Sequence, residues 1–209
     1  PWNSPVPLAA MKLGPALVAG CTVIMKTAPE TPLHGFIMAE CAEAAGFPEG
    51  VLTIITAGRD ASDHLVHHPG VDKVSFTGSV ATGKHVAQAC IERFARYSLE
   101  LGGKSAAIVL EDSDIAETVP EIASHAIVHA GQICFALTRI LVPNSQYDAY
   151  ANALIEYFEK VHIGNPLDPE TDMGPLLNAR QVERVQSYIS KGLEEGATLA
   201  IGGKQPPQL

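Results

Sequence analysis

Cys134, in the stretch HAGQICFALTR, is the strongest candidate nucleophile in the sequence. A single cysteine in an apolar stretch is most often a small buried hydrophobic residue. Against that interpretation, Gly131 and Gln132 precede it and favour a tight backbone approach at the start of a helix, where the helix dipole would stabilise the reactive thiolate. The patterns that surround the cysteine of caspases and papain-like proteases are missing, so a cysteine protease has no support.

Three further polar residues stand where chemistry is possible. Glu100 lies between two leucines in a strand-like run, and carboxylates seldom occupy apolar runs unless they are paired or functional. The alternative is an outward-facing residue on an edge strand. Asn3 is by itself a turn residue. Lys26 ends an apolar strand, where a doubly wound sheet places ligand-binding groups.

The stretch KVSFTGSVATGKH lacks one residue of a phosphate-binding P-loop. The position after Lys84, where a P-loop needs Ser or Thr to hold magnesium, is His85, a poor ligand for a hard cation. A glycine-rich turn from strand to helix still favours a phosphate or pyrophosphate through backbone N–H groups and the helix dipole. The alternative is a tight structural turn in which Gly78 and Gly83 are present only because a side chain would not fit.

The chain alternates strand-like and helix-like segments, which is typical of an α/β fold with mainly parallel sheets. The runs TVIMK, VLTIIT and KVSFT predict strands of a doubly wound, Rossmann-like sheet. The pair Gly102-Gly103 predicts a hinge, so we place a domain boundary near residues 102–104. The run ATLAIGG predicts a last strand.

The helix after TVIMK has a clear start signal, with Thr31 as its N-cap and Pro32 at its first position. Its apolar side chains are expected to face the core, and they are Leu33, Phe36, Ile37, Cys41 and Ala44.

Composition excludes several classes. A net charge of −9 with only 14 Lys plus Arg among 209 residues argues against a nucleic-acid-binding surface. No apolar run approaches the roughly eighteen residues of a membrane span. The four cysteines form no C-x-x-C pair, which favours reduced thiols over a disulfide framework or a zinc site, so no metal ligand is predicted.

Together these stretches resemble the NAD(P)-dependent aldehyde dehydrogenase superfamily. The most specific pair is LELGGKS and the G-Q-x-C segment that follows it. The matches follow the family's order and spacing from residue 1 to about residue 203, and they are PWNSP, KLGPALVAGCTVIMKTAPETPL, AGFPEGVLTIITAG, VDKVSFTGS, LELGGKS, GQIC and GNPLDPETDMGPL. The resemblance implies that residues 1–102 are part of the NAD(P)-binding domain and residues 103–209 part of an α/β catalytic domain.

The resemblance also implies that the protein oxidises an aldehyde to a carboxylic acid with NAD(P)+. It implies the following catalytic roles for individual residues. Cys134 corresponds to the nucleophile that forms a thiohemiacetal and then a thioester. Glu100 corresponds to the general base that activates water for deacylation. The side-chain amide of Asn3 and the backbone N–H of Cys134 would form the oxyanion hole. Lys12 is similar to the family's lysine associated with proton relay.

For the cofactor, the resemblance implies that Lys26 contacts the adenosine ribose, that Ser79 faces the pyrophosphate, and that Gly58 lets the backbone pass the adenine. Gly102 and Gly103 would lie at the domain junction. The residues expected to line the channel are Trp2, Phe76, Thr77, Gly78 and Leu101.

Two departures from the family pattern bear on the cofactor. Many NAD-preferring members have a Glu three residues after the lysine, whereas this sequence has Pro29 there and Glu30 one place later. The choice between NAD and NADP is therefore open, with NAD favoured. The family's N-terminal portion, its E-x-F-G-P glutamate and its oligomerisation arm are not in the sequence, so an internal segment of a longer protein is expected.

The expected partner is a small-molecule aldehyde, and binding to nucleic acid or to a membrane is not expected. The full-length protein is expected to be cytoplasmic and to form a homodimer or homotetramer. An alternative is a truncated, catalytically incomplete segment that serves as a binding or structural module. The further hypothesis of a magnesium-dependent triphosphatase is supported only by residues 78–84.

Overall fold

The computed structural model describes residues 1–206 and divides the chain into two compact units, Pro1–Gly102 and Gly103–Leu209. Each unit combines helices with parallel strand pairs, which confirms the α/β class. The roles of the units as nucleotide-binding and catalytic domains stay a prediction. Within residues 1–206, no helix is both long enough and apolar enough to cross a membrane.

The first unit alternates helices and strands along the chain. In order, its elements are α1 (Pro5–Val18), β1 (Val23–Thr27), α2 (Leu33–Ala44), β2 (Leu52–Thr56), α3 (Arg59–His67), β3 (Lys73–Gly78), α4 (Val80–Glu92) and β4 (Arg96–Leu101).

The strands of the first unit form two parallel pairs, β1 with β2 and β3 with β4. A helix connects the two strands of each pair, as parallel neighbours require. Among residues 1–206 no ladder joins β2 to β3, so the predicted doubly wound sheet is present as two-stranded pieces. The parallel register brings the carboxyl ends of paired strands to one edge, with Thr77 opposite Glu100 and Gly78 opposite Leu101.

Helix α2 packs on β1 and β2 through its smallest residue. A Cβ at the buried Gly35 would lie 2.6 Å from Thr27 Cγ2 and 3.1 Å from Ile54 Cγ2, so the helix backbone itself lies against the strands. This packing turns the large side chains of α2 away from the sheet. The predicted core face is therefore wrong, because all five of its residues are exposed: Leu33, Phe36, Ile37, Cys41 and Ala44.

The second unit contains one parallel pair, β5 with β6, packed against helices. Its elements are β5 (Ser105–Ile108), α5 (Ile115–Ile127), a 3₁₀ helix (Val128–Gly131), β6 (Leu137–Leu141), a second 3₁₀ helix (Asn144–Gln146), α6 (Tyr147–Glu159) and α7 (Ala179–Glu194). Its core is formed by Ala107, Val109, Val119, Ile122 and Tyr150.

The last strand predicted from the run ATLAIGG does not form. Residues 197–200 are exposed, and within residues 1–206 neither β5 nor β6 pairs with this segment. A β-branched, apolar sequence pattern becomes a strand only when a ladder partner satisfies its backbone groups.

Candidate active site

Lys12, Thr77 and Glu100 form a polar cluster at the carboxyl ends of β3 and β4. Lys12, on α1, donates a hydrogen bond from Nζ to Thr77 Oγ1 at 2.6 Å. Thr77 lies opposite Glu100 in the parallel register. Partial burial lowers the pKa of the Lys12 ammonium, and the negative charge of Glu100 raises it. The cluster therefore places a lysine whose pKa is lowered by burial beside a carboxylate that partly offsets that lowering.

Glu100 itself is exposed, which agrees with the alternative of an outward-facing residue on an edge strand. β4 has a partner, β3, on only one side among residues 1–206, and the flanking leucines are half-buried on the other face. An acid between two leucines therefore needs no functional explanation at this position. What supports a role for Glu100 is its proximity to Lys12.

Asn3 lies in a bend directly before α1 and is half-buried, as is Trp2. The next residue, Ser4, adopts a left-handed conformation with φ 53° and ψ 49°, and Pro5 then begins the helix. A left-handed residue other than glycine costs about 1–2 kcal/mol and is maintained only by its surroundings. Asn3 therefore lies directly before a residue with strained backbone.

Cys134 lies in an exposed turn between the 3₁₀ helix Val128–Gly131 and β6. Within this turn the Ala136 N–H donates to the carbonyl oxygen of Ile133 at 3.3 Å. The prediction of a helix start at Cys134 is wrong, because the chain turns directly into a strand. A helix dipole therefore does not account for thiol reactivity here.

The turn that presents Cys134 is preceded by three consecutive left-handed residues. The φ angles are 50° at His129, 55° at Ala130 and 72° at Gly131. Gly131 tolerates this conformation, whereas the other two residues are strained. Strained backbone is concentrated at functional sites, and here it lies immediately before the candidate nucleophile.

Gln132 and Gly103 contact the segment that carries the strained residues and Cys134 within the second unit. Gln132 donates from Nε2 to the carbonyl oxygen of His129 at 2.9 Å and accepts from the Leu177 N–H at 3.1 Å. A Cβ at Gly103 would lie 3.3 Å from the carbonyl oxygen of Cys134, so glycine permits this close approach. Sequence reasoning gave Gln132 no anchoring role, because its bond to Leu177 joins distant parts of the chain.

Ser79 caps α4 at the carboxyl end of β3. Its Oγ accepts from the Thr82 N–H at 3.2 Å, and its backbone is extended with φ −71° and ψ 152°. The first N–H groups of a helix have no intrahelical acceptor and point toward the space ahead of it. This helix start can therefore receive an anion. A Cβ at Gly78 would lie 2.5 Å from the ring of Phe76, which folds over this glycine.

The rest of the glycine-rich stretch has a structural explanation. A Cβ at the buried Gly83 would lie 2.6 Å from Leu101 Cδ2, so this glycine allows α4 to pack on β4. Lys84 is an exposed residue of α4. His85 Nε2 lies 2.5 Å from Asp63 Oδ1 of α3, and this hydrogen bond lowers the pKa of Asp63. The steric interpretation therefore accounts for Gly83.

Lys26 lies next to the end of β1 and is half-buried. Partial burial lowers the pKa of its ammonium group, and the charge of Glu30 raises it. After the next strand, β2, Gly58 precedes α3, and a Cβ added to Gly58 would meet no atom within 4 Å. Gly102 likewise has open space at its Cα.

Thr31 does not cap α2, which begins at Leu33 after Pro32. The hydroxyl oxygen of Thr31 is instead buried without a hydrogen-bond partner among residues 1–206. It lies at a pocket of about 320 Å³ beside the connection from β1 to α2. The pocket is lined by Pro5, Glu30, Thr31, Pro32, Leu33 and His34.

Comparison with known proteins decides the family. The model of the aldehyde dehydrogenase family matches residues 1–209. The chain belongs to the aldehyde dehydrogenase family. Geranial dehydrogenase from Castellaniella defragrans is 43% identical over 208 residues, which cover 100% of this chain and 43% of that dehydrogenase.

Two solved structures agree closely with this chain. A Mycobacterium tuberculosis aldehyde dehydrogenase in complex with NAD+ has a TM-score of 0.96 at 43% identity, covering 99% of this chain and 43% of that one. An E. coli NADP-dependent enzyme has a TM-score of 0.93 at 37% identity, covering 100% of this chain and 44% of that one. The chain thus spans less than half the length of the relatives it matches.

Proposed function

We propose that the protein containing this chain oxidises an aldehyde to a carboxylic acid with a nicotinamide cofactor. The observation that carries the proposal is the exposed Cys134 thiol, which lies in a turn just after strained backbone, in a chain of the aldehyde dehydrogenase family. Reactive cysteines need solvent access, whereas structural cysteines are usually buried.

The proposed chemistry begins when the Cys134 sulfur bonds to the aldehyde carbon and the carbonyl oxygen becomes an alkoxide. The Asn3 side-chain amide and the Cys134 backbone N–H stabilise that charge. Loss of hydride from the same carbon leaves a thioester on Cys134. Glu100 then takes a proton from water, the resulting hydroxyl adds to the thioester carbon, and the C–S bond breaks to release the acid and the thiolate. Lys12 relays protons beside Glu100.

The first unit has features that fit a dinucleotide. The start of α4 at Ser79 suits the pyrophosphate, and the open space at Gly58 suits a flat base. When bound, NAD(P)+ supplies the hydride acceptor. The half-buried Lys26 would hold the ribose, and Trp2 and Phe76 would line the channel, as the family resemblance implies.

Glu30 favours NAD over NADP. Burial lowers the pKa of Lys26, and the negative charge of Glu30 partly offsets that lowering; Glu30 also lines the pocket at the β1–α2 connection. A carboxylate beside the ribose accepts its hydroxyl hydrogens and repels a 2′-phosphate.

The full-length protein, incubated with NAD+ or NADP+ and a panel of aliphatic, aromatic and unsaturated aldehydes, tests the proposal. We expect reduced nicotinamide and stoichiometric carboxylic acid with at least one aldehyde, with a higher kcat/KM for NAD+. A folded protein that binds NAD+ but oxidises no member of the panel would favour the non-catalytic alternative.

Ser79→Asp is expected to weaken cofactor use without weakening the helix. Aspartate caps a helix as well as serine does, so α4 should be retained, but its negative charge would face the pyrophosphate. We expect KM for NAD+ to rise about tenfold, which corresponds to about 1.4 kcal/mol. Steady-state kinetics and thermal unfolding measure the two effects.

Asp114→Ala provides the matched control, because Asp114 caps α5 through the N–H groups of Ala116 and Glu117. Losing this cap should cost about 1 kcal/mol of stability and leave KM for NAD+ unchanged. A Ser79→Asp enzyme with a normal KM would remove Ser79 from the pyrophosphate site.

A further inference from the structure

Asp63, His67 and His85 bring two imidazoles and a carboxylate together on the surface of the first unit. Asp63 and His67 are four residues apart on α3, so they lie on the same helix face, and His85 comes from α4. None of the three belongs to the proposed catalytic or cofactor-binding residues. Of the three, only His85 stands out in the sequence, as a poor magnesium ligand at the end of the P-loop-like stretch.

The three side chains are close enough to share one ion. His85 Nε2 lies 2.5 Å from Asp63 Oδ1, and His67 Nδ1 lies 3.6 Å from the same oxygen. The two imidazole ring centroids are 5.4 Å apart, and one ligand atom from each residue lies within 4.8 Å of the other two. Tetrahedral zinc ligands at about 2.0–2.2 Å from the metal are about 3.4 Å apart. Only small movements of exposed side chains are therefore needed.

The ligand types select the kind of cation. Imidazole suits zinc, copper, nickel and iron, whereas magnesium and calcium require oxygen ligands. Two histidines and one carboxylate, with one position left for water, form a common zinc ligand set. His85, which is unsuitable as the magnesium ligand of a P-loop, is therefore a suitable ligand for a transition metal.

We infer that Asp63, His67 and His85 bind a divalent transition-metal ion of the zinc class and that the ion links α3 to α4. A metal that binds only the folded protein raises its stability by mass action, so the linkage should be visible in unfolding. Metal binding would replace the hydrogen bond between His85 and Asp63 with two bonds to the ion.

Calorimetric titration of the full-length protein with Zn²⁺ alone tests this inference. The protein is first stripped with a chelator, and its thiols are alkylated so that Cys134 and the other cysteines do not bind the ion. We expect saturable binding that His85→Gln or Asp63→Asn weakens at least about tenfold. Zn²⁺ should also raise the Tm of the wild type but not of His85→Gln.

His64→Gln is the matched control, because His64 is an exposed histidine of α3 outside the three-residue cluster. It should keep the wild-type affinity, and Mg²⁺ should not compete. Zinc binding that is lacking in the wild type, or that persists unchanged in His85→Gln, would overturn the inference. Because the catalytic thiol is blocked throughout, neither result depends on aldehyde oxidation.

Discussion

Cys134→Ala is expected to lower kcat for aldehyde oxidation by at least about 10³-fold, with the protein still folded. Alanine cannot form the bond to the aldehyde carbon, so neither the thiohemiacetal nor the thioester can arise. The side chain is exposed in a turn, and its removal leaves no cavity in a core. The loss should therefore appear in turnover and not in Tm. The absorbance of reduced nicotinamide measures turnover, and calorimetric unfolding measures Tm.

The chain offers matched controls for this substitution. Cys21 and Cys41 are also exposed, but neither follows a strained turn. Cys21→Ala and Cys41→Ala should keep near-wild-type kcat. Since alanine improves helix propensity only slightly over cysteine in α2, stability should change little in Cys41→Ala.

An activated ester provides an independent measurement of the same thiol. Ester hydrolysis through Cys134 needs acylation and deacylation but no hydride transfer, so it should proceed without cofactor and stop in Cys134→Ala. If Cys134→Ala keeps both activities, Cys134 is not the nucleophile. If an ester is inert to a wild-type enzyme whose thiol is titratable, the proposed oxyanion donors, with Asn3 among them, are wrong.

Local patterns in the sequence predict the elements of this fold well. The runs TVIMK, VLTIIT and KVSFT overlap β1, β2 and β3, because an apolar, β-branched run between turn residues carries its strand signal within a few positions. Ser79 follows the third run directly and has the residue type of a helix N-cap, which it forms for α4. The glycine pair at 102–103 stands where the two compact units meet in sequence.

Long-range packing explains what could not be predicted. The exposed face of α2 has the composition of a core face, but the contact at Gly35 decides which side meets the strands. The Lys12–Thr77 hydrogen bond joins residues 65 positions apart, and the contact of His85 with Asp63 joins residues 22 apart. No periodicity encodes such pairs, because they depend on how separate elements pack.

Glu100→Gln is expected to separate the two halves of the reaction. Acylation and hydride loss need no base at this position, so one equivalent of reduced nicotinamide per active subunit should form in a rapid burst. Deacylation should then be slowed by about 10²- to 10⁴-fold, the usual contribution of a general base. Stopped-flow absorbance measures the burst, and steady-state assays measure the slow phase.

Glutamine has nearly the same size as glutamate, and Glu100 is exposed, so the free energy of unfolding should change by no more than about 0.5 kcal/mol. Glu92→Gln is the control, because Glu92 is the exposed last residue of α4 and has no proposed role. It should show wild-type turnover. Hydroxylamine, which attacks a thioester without a protein base, should accelerate the slow phase of Glu100→Gln.

Glu100→Asp distinguishes a base from a charge that only adjusts Lys12. The negative charge of Glu100 raises the pKa of Lys12, and aspartate would retain that charge while withdrawing the carboxylate by one methylene group. If Glu100 takes the proton from water, its reach matters, and the aspartate variant should accumulate thioester nearly as the glutamine variant does. If Glu100 acts only through Lys12, aspartate should restore most of the turnover. A Glu100→Gln enzyme with neither burst nor slowed turnover would remove Glu100 from deacylation altogether.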